Sequence, residues 1–400
     1  TYQFPVVFTR GLFDPTNRVL AETLRSAIES HPKPRLLVFI DDAVLRAFPS
    51  LADQATRYVA QHIPRLHLCT APYVVPGGES LKSNRAEIDR LVRLMADAQL
   101  DRHSFVLAIG GGAVLDAVGF AASLIHRGVR LIRVPTTVLA QNDGGVGVKT
   151  AINDPAGKNF LGTFAPPFAV INDADFLATL PDEHWRSGIA EAFKVAMIKD
   201  ATFFDWLCAH AAALAARDMA VMDELVFRCA ELHLTHIRTS GDPFEMGRAR
   251  PLDFGHWSAH EWETMSGYTL GHGQAVAMGI MVDSLYAVRH HWLDTGAADR
   301  LFRGLVQSGF ILWHEVLDRR DAEGRLRVLA GLDRFREHLG GQLCVTMPNG
   351  LGRSMEISEM DSVAIAPCGA LDARVRPPGS KSLTNRALIC AALADGPSHL

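Results

Sequence analysis

Phe105-Val-Leu-Ala-Ile-Gly-Gly-Gly-Ala-Val-Leu-Asp116 decides the fold. An uninterrupted apolar run, Phe105 to Ile109, meets three glycines and then the helical pattern Ala113–Leu124. A run without polar alternation predicts a strand covered on both faces, hence a parallel sheet with helices above and below. The same signal recurs at Arg35-Leu-Leu-Val-Phe-Ile40, Leu131-Ile-Arg-Val134 and Ala169-Val-Ile171, with helical patterns between, so residues 1–180 read as an α/β domain. From about Pro181 the strand signal fades. The patterns Trp185–Ile198, Met219–Arg238 and Val276–Trp292 predict an all-helical second domain over residues 181–365. Near Ala366 the composition shifts again, and residues 366–400 read as a linker and the start of a further unit, making the chain a segment of a longer polypeptide.

At 48% hydrophobic and 21% charged, the 400 residues are neither disordered nor collagen-like. Forty Lys plus Arg against 44 Asp plus Glu give a net charge of −4, so no whole-chain basic field points to nucleic acid or to an anionic membrane as partner. Even Phe105–Ile125 is broken by glycines and Asp116, short of the ~20 apolar residues a spanning helix needs. Six cysteines without a Cys-x-x-Cys pair, and no signal-peptide pattern, make a reducing cytoplasm the expected location.

Gly110-Gly-Gly112, between a strand and a helix, allows a pyrophosphate to approach the backbone at a helix N-terminus. Leu115 stands where the third glycine of G-x-G-x-x-G falls, so tight-turn packing remains an equal reading. Val75-Pro-Gly-Gly-Glu-Ser-Leu-Lys82 supplies a carboxylate and an ammonium suited to ribose and phosphate, or a solvated turn. Pro135-Thr-Thr-Val-Leu-Ala-Gln-Asn-Asp143, Gly147-Val-Lys149 and Gly157-Lys-Asn159 read as polar loops suited to a phosphorylated substrate. Glu191 and Lys194, three apart, share one helix face. Leu252-Asp-Phe-Gly-His-Trp-Ser-Ala-His260 and Gly271-His-Gly273 hold three histidines which, with a carboxylate, could form a catalytic zinc site. Spacing alone picks His256 and His260 as the ligand pair, although Trp257 replaces the Glu of the metalloprotease helix.

In this order and at these spacings the segments resemble the dehydroquinate synthase superfamily of sugar-phosphate cyclases over about residues 1–365. The resemblance implies a Rossmann-like NAD-binding domain, a helical metal-binding domain and an active site in the cleft between them. It carries NAD contacts onto Asp41, Glu79, Lys82, Gly110, Gly111, Gly112, Asp116, Thr136, Thr137 and Thr179, and Zn2+ or Co2+ ligands onto Glu191, His256 and His272. His260 then faces the substrate phosphate, against the spacing-only choice. Asp143, Lys149, Lys158, Asn159, Lys194 and Asp253 match substrate-site positions. Arg127 matches an arginine that reaches the neighbouring subunit's phosphate, which implies a homodimer. The implied activity is that of a carbon–oxygen lyase acting on phosphates. A hydroxyl is oxidised by hydride transfer to NAD, phosphate is eliminated, the hydride returns and the ring closes by an intramolecular aldol step.

Departures from the dehydroquinate synthase pattern concern the substrate. Gly147-Val148-Lys149 replaces Gly-Gly-Lys, Asp253 replaces an Asn, Ala249 between Arg248 and Arg250 stands at an expected Arg, and a Lys expected near Thr235 is missing. In that family the Lys and Arg help hold a substrate carboxylate, whose poor pairing here would cost ~1–3 kcal/mol if buried. Phe335-Arg-Glu-His-Leu-Gly-Gly341 also looks more like cyclases of sedoheptulose 7-phosphate. The expected substrate is a seven-carbon ketose phosphate without a carboxylate, with 3-deoxy-arabino-heptulosonate 7-phosphate as the other candidate.

Pro378-Gly-Ser-Lys-Ser-Leu-Thr-Asn-Arg386 resembles the opening of 5-enolpyruvylshikimate-3-phosphate synthase, with Lys381, Ser382 and Arg386 on its substrate positions. A capped helix start with Ser380 or Ser382 is the plainer alternative. Two rival functions stay open: a metal-dependent alcohol or glycerol dehydrogenase of the same architecture, and a non-catalytic domain of a shikimate-pathway fusion.

Overall fold

The computed structural model describes residues 3–155, 157–240, 242, 251–338 and 341–360. Segments around Ala249 and Lys381 singled out above lie outside them. Strands β1 (Val6–Thr9), β2 (Arg35–Asp41), β3 (His67–Leu68), β4 (Tyr73–Val75), β5 (Phe105–Gly110) and β6 (Arg130–Pro135) form a sheet. An antiparallel hairpin of β7 (Lys149–Asp154) and β8 (Gly157–Phe164) follows, and β9 (Ala169–Asp173) returns to the sheet. The order is β1-β9-β6-β5-β2, with β3 and β4 both on β2 and every pairing parallel.

The four apolar runs are therefore strands, and their period of two divides the core. Leu36, Val38 and Ile40 of β2 face the helices α1 (Val19–Glu29) and α3 (Leu51–His62), which flank the short α2 (Asp42–Ala47). Leu37 and Phe39 face the opposite layer, α5 (Arg85–Asp97) and α6 (Gly112–Leu124), preceded by the single turn α4 (Ser80–Ser83). Every residue of β5 is buried, each large side chain contributing about 1.5–3 kcal/mol.

Helices α7 (Asp182–Lys199), α8 (Ala201–Ala215), α9 (Met219–Thr239), α10 (His256–Met265), α11 (His272–Arg289), α12 (Thr295–Gln307) and α13 (Ala330–His338) build the second part around a core of their own. Asp200, Asp218 and Asp294 accept backbone N–H groups at the starts of α8, α9 and α12, which fixes where those helices begin. The α7 pattern differs from the amphipathic expectation: Ser187 to Ile198 are all buried, because α8, α9, α11 and the sheet side enclose it. The domain is also not all-helical. β10 (Val345–Pro348) and β11 (Ser354–Ile357) pair antiparallel around Asn349-Gly350, with positive φ at Gly350 and Gly352.

Two glycines set how closely these helices approach. A Cβ at Gly273 would run into the Ser187 backbone of α7. Gly255 sits at φ +77°, and a Cβ there would lie 2.7 Å from the Ile280 nitrogen of α11. The first contact brings His272, beside Gly273, against α7, and the second brings His256, beside Gly255, against α11. Among the described residues no helix is long and apolar enough to cross a membrane.

Candidate active site

A cleft of about 920 Å³ lies where the C-terminal ends of β2, β5 and β6 face α7, α10 and α11. β2 and β5 are neighbours, but the chain leaves β2 for β3 and β4 on one side and β5 for β6 on the other, the switch point where open α/β sheets place ligands. Gly111 caps α6, whose positive end points into the cleft. A Cβ at Gly112 or Gly78 would meet nothing within 4 Å, so the backbone at both positions is open to an incoming phosphate. Asp41, at the end of β2, is buried and accepts the Ala43 N–H at 2.8 Å; burial pushes its carboxyl up. Lys82 is buried beneath α6, where it donates to Asp116 Oδ2 at 2.7 Å and to Asn159. Glu79 lies 3.9 Å from the same ammonium and accepts from Asn153 at 3.1 Å. Thr136, Thr137 and Thr179 complete this wall. An anion-binding helix start, an open glycine turn and a carboxylate at the end of β2 suit the pyrophosphate and ribose of a dinucleotide such as NAD.

Across the cleft, three acceptors converge. His256 Nδ1–H donates to the Phe254 carbonyl at 3.1 Å, leaving a lone pair on Nε2, which stands 3.5 Å from Glu191 Oε1. His272 Nδ1 stands 3.2 Å from Glu263 Oε1 and its Nε2 3.2 Å from the same Glu191 oxygen. With both rings neutral, two lone pairs and a carboxylate face one another, an arrangement that favours a cation among them. The ligand atoms of Glu191, His256 and His272 lie within 4.8 Å of one another, and the carboxylate is 1% exposed. A nitrogen–oxygen donor set of this kind fits zinc or cobalt with a position left open. In the bare protein a proton partly fills that role. Burial opposes a charge on His272, yet Glu191 and Glu263 raise it to about 9, so metal uptake displaces a proton.

Lys194, one turn from Glu191, contacts Glu191 Oε2 and lies 3.8 Å from Asp143 Oδ2. Burial favours the neutral carboxyl of Asp143, but Lys194 and His233, whose Nδ1 is 2.6 Å away, hold its pKa down. A π-helical turn over Ala140–Gly144 presents Asp143, anchored because Gln141 donates to Pro135 and Asp173 carbonyls and Asn142 to the Gly188 carbonyl. Arg133, fully buried in β6, donates to the carbonyls of Gly145, Gly147 and Lys149 and so sets the entry to the hairpin. Of the segments expected as polar loops, Ala140–Asp143 is thus part of the π-helical turn, while Lys149 and Gly157-Lys-Asn159 belong to strands β7 and β8. They carry Lys149, Lys158 and Asn159 to the cleft, with Lys158 3.1 Å from Glu263 Oε1.

Sequence-predicted residues are therefore largely assembled at one place. Asp253 and His260 also line the cleft. The ring centroid of His260 lies 5.2 Å from that of His256, but it belongs to a second group, with Glu263 and His272, away from Glu191. Burial and then His256 and Lys158 hold His260 neutral. Gly110 lies just behind the lining, at the end of β5. Arg127 is elsewhere: it is exposed just past the C-terminal end of α6, about 20 Å of helix from Gly112. Glu263, His233 and Arg133 were not singled out from sequence. Glu263 stands three residues after His260, the spacing already noted for Glu191 and Lys194, and Arg133 interrupts an apolar strand.

Fold and site together define a two-domain enzyme that sets a nucleotide cleft against a divalent-metal centre. The models of the 3-dehydroquinate synthase N-terminal and C-terminal domains match residues 72–187 and 188–329, and that of EPSP synthase (3-phosphoshikimate 1-carboxyvinyltransferase) matches residues 365–400. The chain is 33% identical over 367 residues to a 3-dehydroquinate synthase of Rhodospirillum rubrum, covering 90% of each. It is 38% identical over 273 residues to one of Azotobacter vinelandii, covering 64% of this chain and 73% of that one. The chain belongs to the dehydroquinate synthase family, as a sugar-phosphate cyclase and carbon–oxygen lyase, and its residues 365–400 are similar to EPSP synthase. Among solved structures, ValA, a 2-epi-5-epi-valiolone synthase of Streptomyces hygroscopicus with NAD+ and Zn2+ bound, is 28% identical with a TM-score of 0.78, covering 90% of this chain and 94% of that one. A 2-deoxy-scyllo-inosose synthase (TM-score 0.68, 20% identical) and a glycerol dehydrogenase from Schizosaccharomyces pombe (TM-score 0.53, 18% identical) share the fold.

Proposed function

We propose that this cleft cyclises a seven-carbon ketose phosphate without a carboxylate, of the sedoheptulose 7-phosphate kind, with loss of phosphate. The charge of the substrate wall carries this reading. The cleft face of α9 offers His233 and His236 where a carboxylate-binding lysine is expected near Thr235, and Asp253 adds an anion beside Lys194. A substrate carboxylate there would meet Asp143, Glu191 and Asp253, with the Lys194 ammonium already shared among those three. The 28% identity to a valiolone synthase supports the same choice.

In this reading residues 1–180 bind NAD through Asp41, Glu79, Lys82, Gly110 to Gly112, Asp116, Thr136, Thr137 and Thr179. Residues 181–365 hold a divalent cation on Glu191, His256 and His272. When bound, NAD accepts and returns a hydride and the cation polarises substrate oxygens. The chain's own residues orient and compensate charge. Lys149, Lys158, Asn159 and a neutral His260 hold the phosphate, while Asp143, Lys194 and Asp253 fix the hydroxyls beside the metal centre. Arg127, exposed far from its own cleft, serves a second copy, which makes the working unit a homodimer.

The test is phosphate release by NAD- and zinc-loaded enzyme with each candidate sugar. Release from sedoheptulose 7-phosphate and none from 3-deoxy-arabino-heptulosonate 7-phosphate is expected; the reverse pattern overturns the substrate assignment.

A further inference from the structure

We propose that Glu263 is a positioning residue that holds His272 on the metal wall and Lys158 on the phosphate wall of the cleft at the same time. The inference deepens the reading above and rests on its metal centre.

Glu263 is 3% exposed on α10, and its carboxylate has partners on both oxygens. Oε1 lies 3.2 Å from His272 Nδ1 and 3.1 Å from Lys158 Nζ, while Oε2 lies 3.3 Å from the same ammonium. An ionised carboxylate only accepts, so His272 Nδ1 keeps its proton toward Glu263, and it is the proton on Nε2, 3.2 Å from Glu191, that gives place to a metal. A carboxylate behind a ligating imidazole fixes both tautomer and ring orientation. The second contact crosses the cleft. Lys158 belongs to β8, outside the main sheet, and Glu263 ties that hairpin to the helix carrying His256 and His260.

The same geometry argues against a second cation. The ligand atoms of His260, Glu263 and His272 also lie within 4.8 Å of one another, which alone reads as another metal site. The Lys158 ammonium already sits on the Glu263 oxygens there, and His272 has one nitrogen for each carboxylate. One ion per chain, held through Glu191, is the consequence.

The experiment is a zinc titration of metal-stripped full-length protein against a competing chelator, for wild type, Glu263→Ala, Glu263→Gln and Lys158→Ala, followed by KM measurements. Wild type should take one ion per chain. Glu263→Ala should weaken zinc binding about 10–100-fold. Glu263→Gln, which keeps the shape and one acceptor for Nδ1–H, should lose less, and it decides the question if the alanine variant does not fold. Lys158→Ala should leave zinc affinity within about threefold of wild type while raising KM for the sugar phosphate about tenfold or more. Adding Glu263→Ala to Lys158→Ala should raise KM less than the separate effects multiplied. Wild type that takes up no zinc overturns the metal reading beneath this inference. A wild type that binds one ion, with folded Glu263→Ala binding it equally well, overturns the inference alone, as does a stoichiometry of two.

Discussion

His272 Nε2 lies 3.2 Å from Glu191 Oε1, although the two residues are 81 positions apart in the chain. That approach exists because α11 runs closely along α7, and with His256 it defines a ligand set that excludes His260. His256→Ala and His272→Ala should therefore remove zinc and activity together, whereas His260→Ala should keep one zinc per chain and lose activity. Metal analysis after dialysis checks this; loss of zinc from His260→Ala equal to that from His256→Ala contradicts the assignment.

The closeness of α11 to α7 depends on Gly273, where a Cβ would collide with the Ser187 backbone. Gly273→Ala should destabilise the protein by about 1–3 kcal/mol. It should also weaken zinc binding, because the displaced residue adjoins His272. Urea unfolding and zinc titration together read both effects, and unchanged zinc affinity would separate the helix contact from the metal centre.

Lys194 compensates two carboxylates, Glu191 and Asp143, and is itself 3% exposed. Removing one partner of a buried ion pair leaves an uncompensated charge, so Lys194→Met should cost about 3–5 kcal/mol in metal-free protein. Saturating zinc should recover part of that loss by replacing the ammonium as a cation near Glu191. Equal destabilisation with and without zinc speaks against this division of labour.

Asp283 is fully buried on α11, where Oδ1 accepts the Trp257 indole N–H at 2.9 Å and Oδ2 the Gly255 N–H at 3.0 Å, on either side of His256. Asp283→Ala leaves two buried donors unsatisfied, a loss of about 2–4 kcal/mol. Burial raises its carboxyl from 3.8 to about 7, against the two hydrogen bonds. The folded state therefore binds this proton more tightly than the unfolded chain. The stabilisation from that proton is complete below about pH 4 and is lost as pH rises through about 7. Relative to Asp283→Asn, which does not titrate, wild type should lose stability between pH 5 and pH 8, as measured by denaturant midpoints; a flat difference contradicts the shift.

How much of this was legible follows from where the signal resides. β5 and the glycine turn announce themselves because a strand covered on both faces needs a continuous apolar run and the turn needs residues without Cβ. The hairpin β7–β8 gave no such signal: Lys149, Asn153, Asp154 and Lys158 face the cleft or solvent, so its polarity looks like a loop. β10–β11 is marked in the sequence only by its Asn349-Gly350 turn, since strands of four residues are too short to show a period of two. Spacing offered His256 and His260 because local sequence records helix faces. Glu191 and His272 meet through packing between helices far apart in the chain, so only the family resemblance named them beforehand. Glu263 was within reach of the i, i+3 rule, but its partners, His272 and Lys158, come from other elements.

The most direct test of the central claim follows nicotinamide absorbance and phosphate release together, in NAD- and zinc-loaded enzyme given its sugar phosphate. A cyclase returns the hydride it takes, so one phosphate should appear per sugar consumed with no net NADH. NADH accumulating with the sugar oxidised and its phosphate retained would show a dehydrogenase instead.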